Sequence, residues 1–270
     1  MITRAQYSTA GPAQELTAAV SAQLLLLAVL TTAAGLGPAG WLAGSVFAAT
    51  LWALLTSALH RSRSHALGPA DLVTLARAVL VGGVAALVAD RLGTQPPALF
   101  VTLASVALAL DAVDGQVARR TGTVSALGAR FDMEVDAFLI LTLSVQLALT
   151  QGAWVLAIGA MRYGFVAAAW ALPWLRGALP PSLARKTVAA AQGIALVVAG
   201  AGVLPALAAV VLTGTALALL TWSFGRDVHR LWRHRDQSQS RRLNSTYSAP
   251  AMTTIATVDA MKPDHCEYPG

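Results

Sequence analysis

Four aspartates fall within a window of 26 residues: Asp111 and Asp114, three apart, then Asp132 and Asp136, four apart. Spacings of three and four bring side chains onto one face of an α-helix, so each pair makes its own carboxylate face. Carboxylates drawn together repel unless they share protons or bind cations, and an oxygen donor set without His or Cys suits Mg²⁺ or Mn²⁺. Two such ions leave open positions for phosphate oxygens and neutralise charge on the entering and leaving oxygens of an in-line displacement. The spacing therefore points to a phosphate-containing substrate. Glu134, between the members of the second pair, points away from both.

The elements that must position these residues are membrane helices. The chain has 270 residues, 56% hydrophobic and 12% charged, with mean hydropathy +0.61, which is too apolar for a soluble domain. Apolar runs near the ~20 residues needed to cross a bilayer recur at roughly 16–36, 41–59, 72–89, 97–117, 133–150, 153–172, 187–203 and 205–224. They are rich in Ala, Leu, Val and Gly and lack the alternation of a barrel, and lipid tolerates only helices or closed barrels. The fold class is an all-α polytopic bundle. The first aspartate pair ends one span and the second begins the next, so a short turn between antiparallel neighbours lets the two faces converge at one membrane surface.

Positive charge sets the orientation. Arg61 and Arg63, then Arg119, Arg120 and Arg130, then Arg176, Arg185 and Lys186, and the tail arginines all fall on one side of an eight-span arrangement, against Arg91 alone on the other. Short cytoplasmic loops collect Lys and Arg, so both termini and the aspartates are expected on the cytoplasmic side. The formal charge of +6 suits anionic headgroups, and a nucleic-acid partner is not expected. Cys266 is the one cysteine, which excludes a disulfide framework and a Cys/His zinc site. Residues 1–60 are expected to hold an accessory pair of spans, set off by a basic, helix-breaking linker over 60–70. Residues 226–270 turn polar and basic and are expected to form a flexible cytoplasmic tail.

The stretch from Asp111 to Asp136, with Gly115, Ala118, Arg119 and Gly128 between the pairs, resembles the signature of the CDP-alcohol phosphatidyltransferase family, D-x2-D-G-x2-A-R-x8-G-x3-D-x3-D, at every fixed position. The resemblance implies a core of six membrane helices, here 69–225, a homodimer and a cytoplasmic-facing site in a membrane. It implies that Asp111, Asp114, Asp132 and Asp136 hold the divalent ions, that Gly115, Ala118, Arg119 and Gly128 surround the CDP moiety, and that Asp136 is the general base. The family also tends to carry Asn-x-x-Thr-x-x-Arg at the start of the first core helix. Asp71, Thr74 and Arg77 stand there, so Thr74 and Arg77 carry over as CDP contacts while Asp71 departs from the pattern and could serve simply as a helix N-cap.

The donor this implies is CDP-diacylglycerol, and the acceptor class is a polyol or polyol phosphate such as glycerol 3-phosphate or an inositol phosphate. Arg162, inside an apolar span, calls for a partner such as a phosphate or a carboxylate, or else snorkels. With Arg176, Arg185 and Lys186 it is a candidate acceptor contact. High Ala, Leu and Arg usage suggests a GC-rich genome and a bacterial cell membrane. The competing class is an ion-coupled transporter with an aspartate relay. Clustering of the aspartates around one short loop, without inverted repeats, counts against it.

Overall fold

A computed structural model of the chain describes residues 12–62, 69–90, 97–121, 126–177 and 183–247. Within them lie eight α-helices: α1 (Pro12–Ala34), α2 (Pro38–Ser62), α3 (Pro69–Asp90), α4 (Pro97–Thr121), α5 (Ala126–Gln151), α6 (Leu156–Ala171), α7 (Leu183–Gly200) and α8 (Ala206–Tyr247). Proline opens α1 to α4, at a first-turn position whose missing N–H costs nothing. No strand occurs among the described residues.

Among the described residues, six helices are long and apolar enough to cross a membrane: α1, α2, α3, α5, α6 and α8. The other two of the eight expected spans are α4 and α7, whose apolar parts among the described side chains are Ala98–Val113 and Thr187–Gly200. Asp111, Asp114, Arg119 and Arg120 lie in the last part of α4, and Arg185 and Lys186 open α7.

α3 is the axis of the bundle. Of its apolar window 61% is buried inside the protein, against 17% to 39% for the other five long spans. It packs against α1 and α2 on one side and α4 and α5 on the other. Ala78, Val81, Val84 and Ala86 on α3 are fully sealed. Small residues permit this crowding, as is usual where no hydrophobic effect drives helices together in lipid. A Cβ on Gly82 would stand 2.6 Å from Gln23 Oε1 of α1 and 2.7 Å from Phe47 of α2. Likewise a Cβ on Gly159 of α6 would meet the α5 backbone at Leu141 Cα, 2.5 Å away. The main core joins Ala104 and Ala107 of α4, Val135, Leu139, Leu143 and Leu147 of α5, Leu196 of α7 and Leu220 of α8.

α8 runs on past its apolar segment. Residues 226–247, read as the start of a flexible tail, continue the helix, while 248–270 lie outside the described residues. No proline interrupts the chain from Ala206 to Ser248, and the buried stripe Thr213, Ala216, Leu220, Ser223, Asp227 and Leu231 keeps helical spacing past the end of the apolar run. Leu231 seats against Gly177, which follows a 3-10 turn at Pro173–Arg176.

The accessory pair α1 and α2 is fastened at the end of the bundle opposite the aspartates. Asp90, the last residue of α3, accepts hydrogen bonds at Oδ1 from the backbone N–H of Gly37 (2.9 Å) and Gly40 (3.3 Å). These donors stand just before and within the first turn of α2, and a carboxylate there also meets the positive end of the helix dipole. Replacing Asp90 with Ala removes a cap supplied by another helix. The expected result is a loss of about 0.5–2 kcal/mol, read as a lower unfolding temperature of the detergent-solubilised protein, with Asp90→Asn closer to the parent.

Candidate active site

The site is built by three helices that meet at one end of the bundle. From the nearer helix terminus, Arg77 lies about 12 Å along α3, Asp132 about 9 Å and Asp136 about 15 Å along α5, and Asp111 about 15 Å from the end of α4. Antiparallel packing brings these depths together. Arg77 is the centre: its guanidinium donates through Nη1 to Asp111 Oδ1 and through Nη2 to Asp132 Oδ1. Nη2 also reaches the backbone carbonyl of Asp132 at 3.2 Å, and Asp136 Oδ1 lies 3.9 Å from Nη1. The cation is fully buried, while the side chains of Asp111, Asp132 and Asp136 keep 38%, 38% and 35% of their surface open. A sealed positive charge thus sits behind three accessible carboxylates.

Helical spacing explains the arrangement. Arg77 is turned to α4 and α5, and Thr74, three residues before it, is buried with Oγ1 donating to the Ala70 carbonyl at 3.1 Å. Asp71 is also buried and stands in the first turn of α3, which begins at Pro69. That is inside the helix rather than at a cap position, and a carboxylate there complements the dipole. Asp132 and Asp136 lie one turn apart on α5, so the structure brings Asp111, Asp132 and Asp136 together as the spacing requires. Gly128 lies in the first turn of α5, half-buried. Asp114, Gly115, Ala118 and Arg119 belong to α4, but their side chains lie outside the described residues, as do those of Arg176 and Lys186.

The donor chemistry fits a hard divalent cation, since three carboxylates on two helices face one positive centre and remain open to the outside. That centre is a guanidinium here. Among the described residues, no group of three or more His, Cys, Asp or Glu is set to hold an ion.

Two of the candidate acceptor residues, Arg162 and Arg185, have protein partners that the sequence did not specify. Arg162 of α6 donates from Nη2 to Glu134 Oε1 of α5 at 2.5 Å, which supplies the carboxylate that an arginine in an apolar span requires. Glu134 is on the side of α5 away from Asp132 and Asp136, and this pairing is its structural role. Arg185 Nε, at the start of α7, lies 3.6 Å from Asp227 Oδ2 on the extended part of α8. Arg226 lies over the Trp222 ring at 4.9 Å. Asp227 was missed by sequence reading because it sits in the segment taken for a tail. Its place on the buried stripe of α8 was the available signal.

A helical membrane protein whose acidic side chains converge at one end of the bundle has the design of an enzyme acting on phosphate groups at a membrane surface. The chain belongs to the CDP-alcohol phosphatidyltransferase family, which matches residues 67–225. It is therefore a membrane transferase that passes the phosphatidyl-type group of a CDP-alcohol to an acceptor alcohol, in a family generally dependent on divalent metal. No match was found among curated proteins, nor among solved structures.

The Glu134–Arg162 pair makes its own prediction. Glu134→Gln and Arg162→Gln are each expected to lower the unfolding temperature, and the double variant to be milder than their sum by about 0.5–3 kcal/mol. Additive losses in the same unfolding series would show that the two side chains act separately.

Proposed function

We propose that the protein transfers a phosphatidyl group from CDP-diacylglycerol to a polyol or polyol phosphate, releasing CMP, at the cytoplasmic face of a bacterial membrane. The observation that supports this best is the convergence of Asp111, Asp132 and Asp136 from two helices at one end of the bundle. In this reading Asp111, Asp114, Asp132 and Asp136 hold one or two Mg²⁺ or Mn²⁺ ions, whose chemistry is to neutralise charge on the phosphate oxygens.

The protein's own groups do the rest. Asp136 accepts the proton of the acceptor hydroxyl, and its partly open side chain lets an acceptor approach. The hydroxyl oxygen attacks the lipid-side phosphorus, the bond from that phosphorus to the CMP phosphate oxygen breaks, and CMP leaves with the electron pair. Thr74, Gly115, Ala118, Arg119 and Gly128 line the CDP moiety. Arg176, Arg185 and Lys186, at the basic end of the bundle, are suited to an acceptor phosphate. Arg162 joins them only if its Glu134 partner yields. The working unit is a homodimer.

The test is CMP release from CDP-diacylglycerol by purified protein in detergent with Mg²⁺ or Mn²⁺, over a panel of polyols and polyol phosphates. Release is expected to need both metal and acceptor, and Asp136→Asn to lower it by at least about 10²-fold. Folded protein that releases no CMP with any acceptor would refute this assignment of donor and acceptor. An unaffected Asp136→Asn enzyme would remove Asp136 from the base role.

A further inference from the structure

We propose that Arg77 is an internal counter-cation of the aspartate cluster, a positioning residue that holds Asp111 and Asp132 in register and sets the cluster's affinity for divalent ions. This rests on the transferase reading and replaces the expectation that Arg77 touches the nucleotide.

Three observations carry it. The guanidinium has no exposed surface, so a nucleotide approaching from the open side meets the carboxylates first. Both terminal nitrogens are engaged: Nη1 with Asp111, Nη2 with the side chain and backbone carbonyl of Asp132. The partners come from two helices, 34 and 55 residues away in sequence, so one cation from α3 ties the α4 carboxylate to the α5 carboxylate. A planar fork can bridge in this way where a point charge cannot.

The consequence for ion binding follows from the balance of two effects. Loss of the fork frees the carboxylates to separate, which weakens an ion site. Loss of one positive charge a few ångströms away removes repulsion against a divalent ion, which strengthens it. The second effect dominates here, because α4 and α5 each pack against both α3 and α7 and share a core through Ala104, Ala107, Val135 and Leu139. The backbones that carry the carboxylates stay in place. Even at an effective dielectric near 20, removing that charge changes affinity by at least about tenfold.

The experiment titrates Mn²⁺, followed by electron paramagnetic resonance, into detergent-purified protein without donor, for the parent, Arg77→Gln and Arg77→Lys. Arg77→Gln is expected to bind Mn²⁺ at least about tenfold more tightly than the parent. It is also expected to unfold at lower temperature without Mn²⁺, a deficit that closes as Mn²⁺ is added. Arg77→Lys keeps the charge but not the bridge, so its Mn²⁺ affinity stays within about threefold of the parent while its unfolding temperature falls. If Arg77→Gln does not fold, a tenfold change in Arg77→Lys overturns the proposal by itself.

Unchanged Mn²⁺ affinity with a raised KM for CDP-diacylglycerol would make Arg77 a nucleotide contact and overturn it. Weakened Mn²⁺ binding in folded Arg77→Gln would make the residue a scaffold alone and also overturn it. The two readings separate cleanly. Parent protein that shows the Mn²⁺ pattern but releases no CMP upholds the role of Arg77 and refutes the donor assignment. Parent protein that binds no Mn²⁺ overturns the proposal.

Discussion

A cation sealed inside an apolar bundle must be met by anions, and Arg77 is such a cation. Stripping water from a charge costs several kcal/mol even after the protein relaxes, and removing one partner of a buried ion pair costs about 3–5 kcal/mol. The same constraint acts in reverse on the aspartates, which repel one another unless something positive stands between them. The two demands are satisfied at one point, where α3 presents its guanidinium to carboxylates of α4 and α5. The outer faces of those carboxylates remain open, which is what a phosphate-transferring site requires.

Much of the surrounding architecture follows from this point. α3 has to be central because its side chain must reach two helices at once, and its small residues let α1 and α2 close over its other side. α8 runs on past its most apolar stretch, where Asp227 faces Arg185 and Leu231 covers Gly177. At the far end Asp90 fastens the accessory pair, away from the chemistry. The accessory helices α1 and α2 add to the wall of α3 that the site does not use.

What the sequence made legible was local. The spacing of Asp111, Asp132 and Asp136 placed each on a helical face, and the run of apolar segments located eight helices, because both signals repeat within a few residues. The hub role of Arg77 was not legible. Its partners are distant in sequence, and periodicity does not say how far each helix is rotated about its axis or which neighbours it meets. The pairing of Arg162 with Glu134 shows the limit from another side: cost demanded a partner, but only packing could choose one. The helical spacing of Ser223, Asp227 and Leu231 carries α8 into the polar segment, a signal weaker than the charge around it.

The central claim is that Arg77 and the aspartates stabilise one another, and a double-mutant cycle on Arg77 and Asp132 tests it most directly. The parent, Arg77→Gln, Asp132→Asn and the double variant would be unfolded by heat in detergent without added divalent ion. The account requires the two changes to be coupled by about 1–3 kcal/mol, the double variant being more stable than the sum of the single losses. Losses that add to within about 0.5 kcal/mol would mean that the two groups do not depend on each other, and would contradict the account.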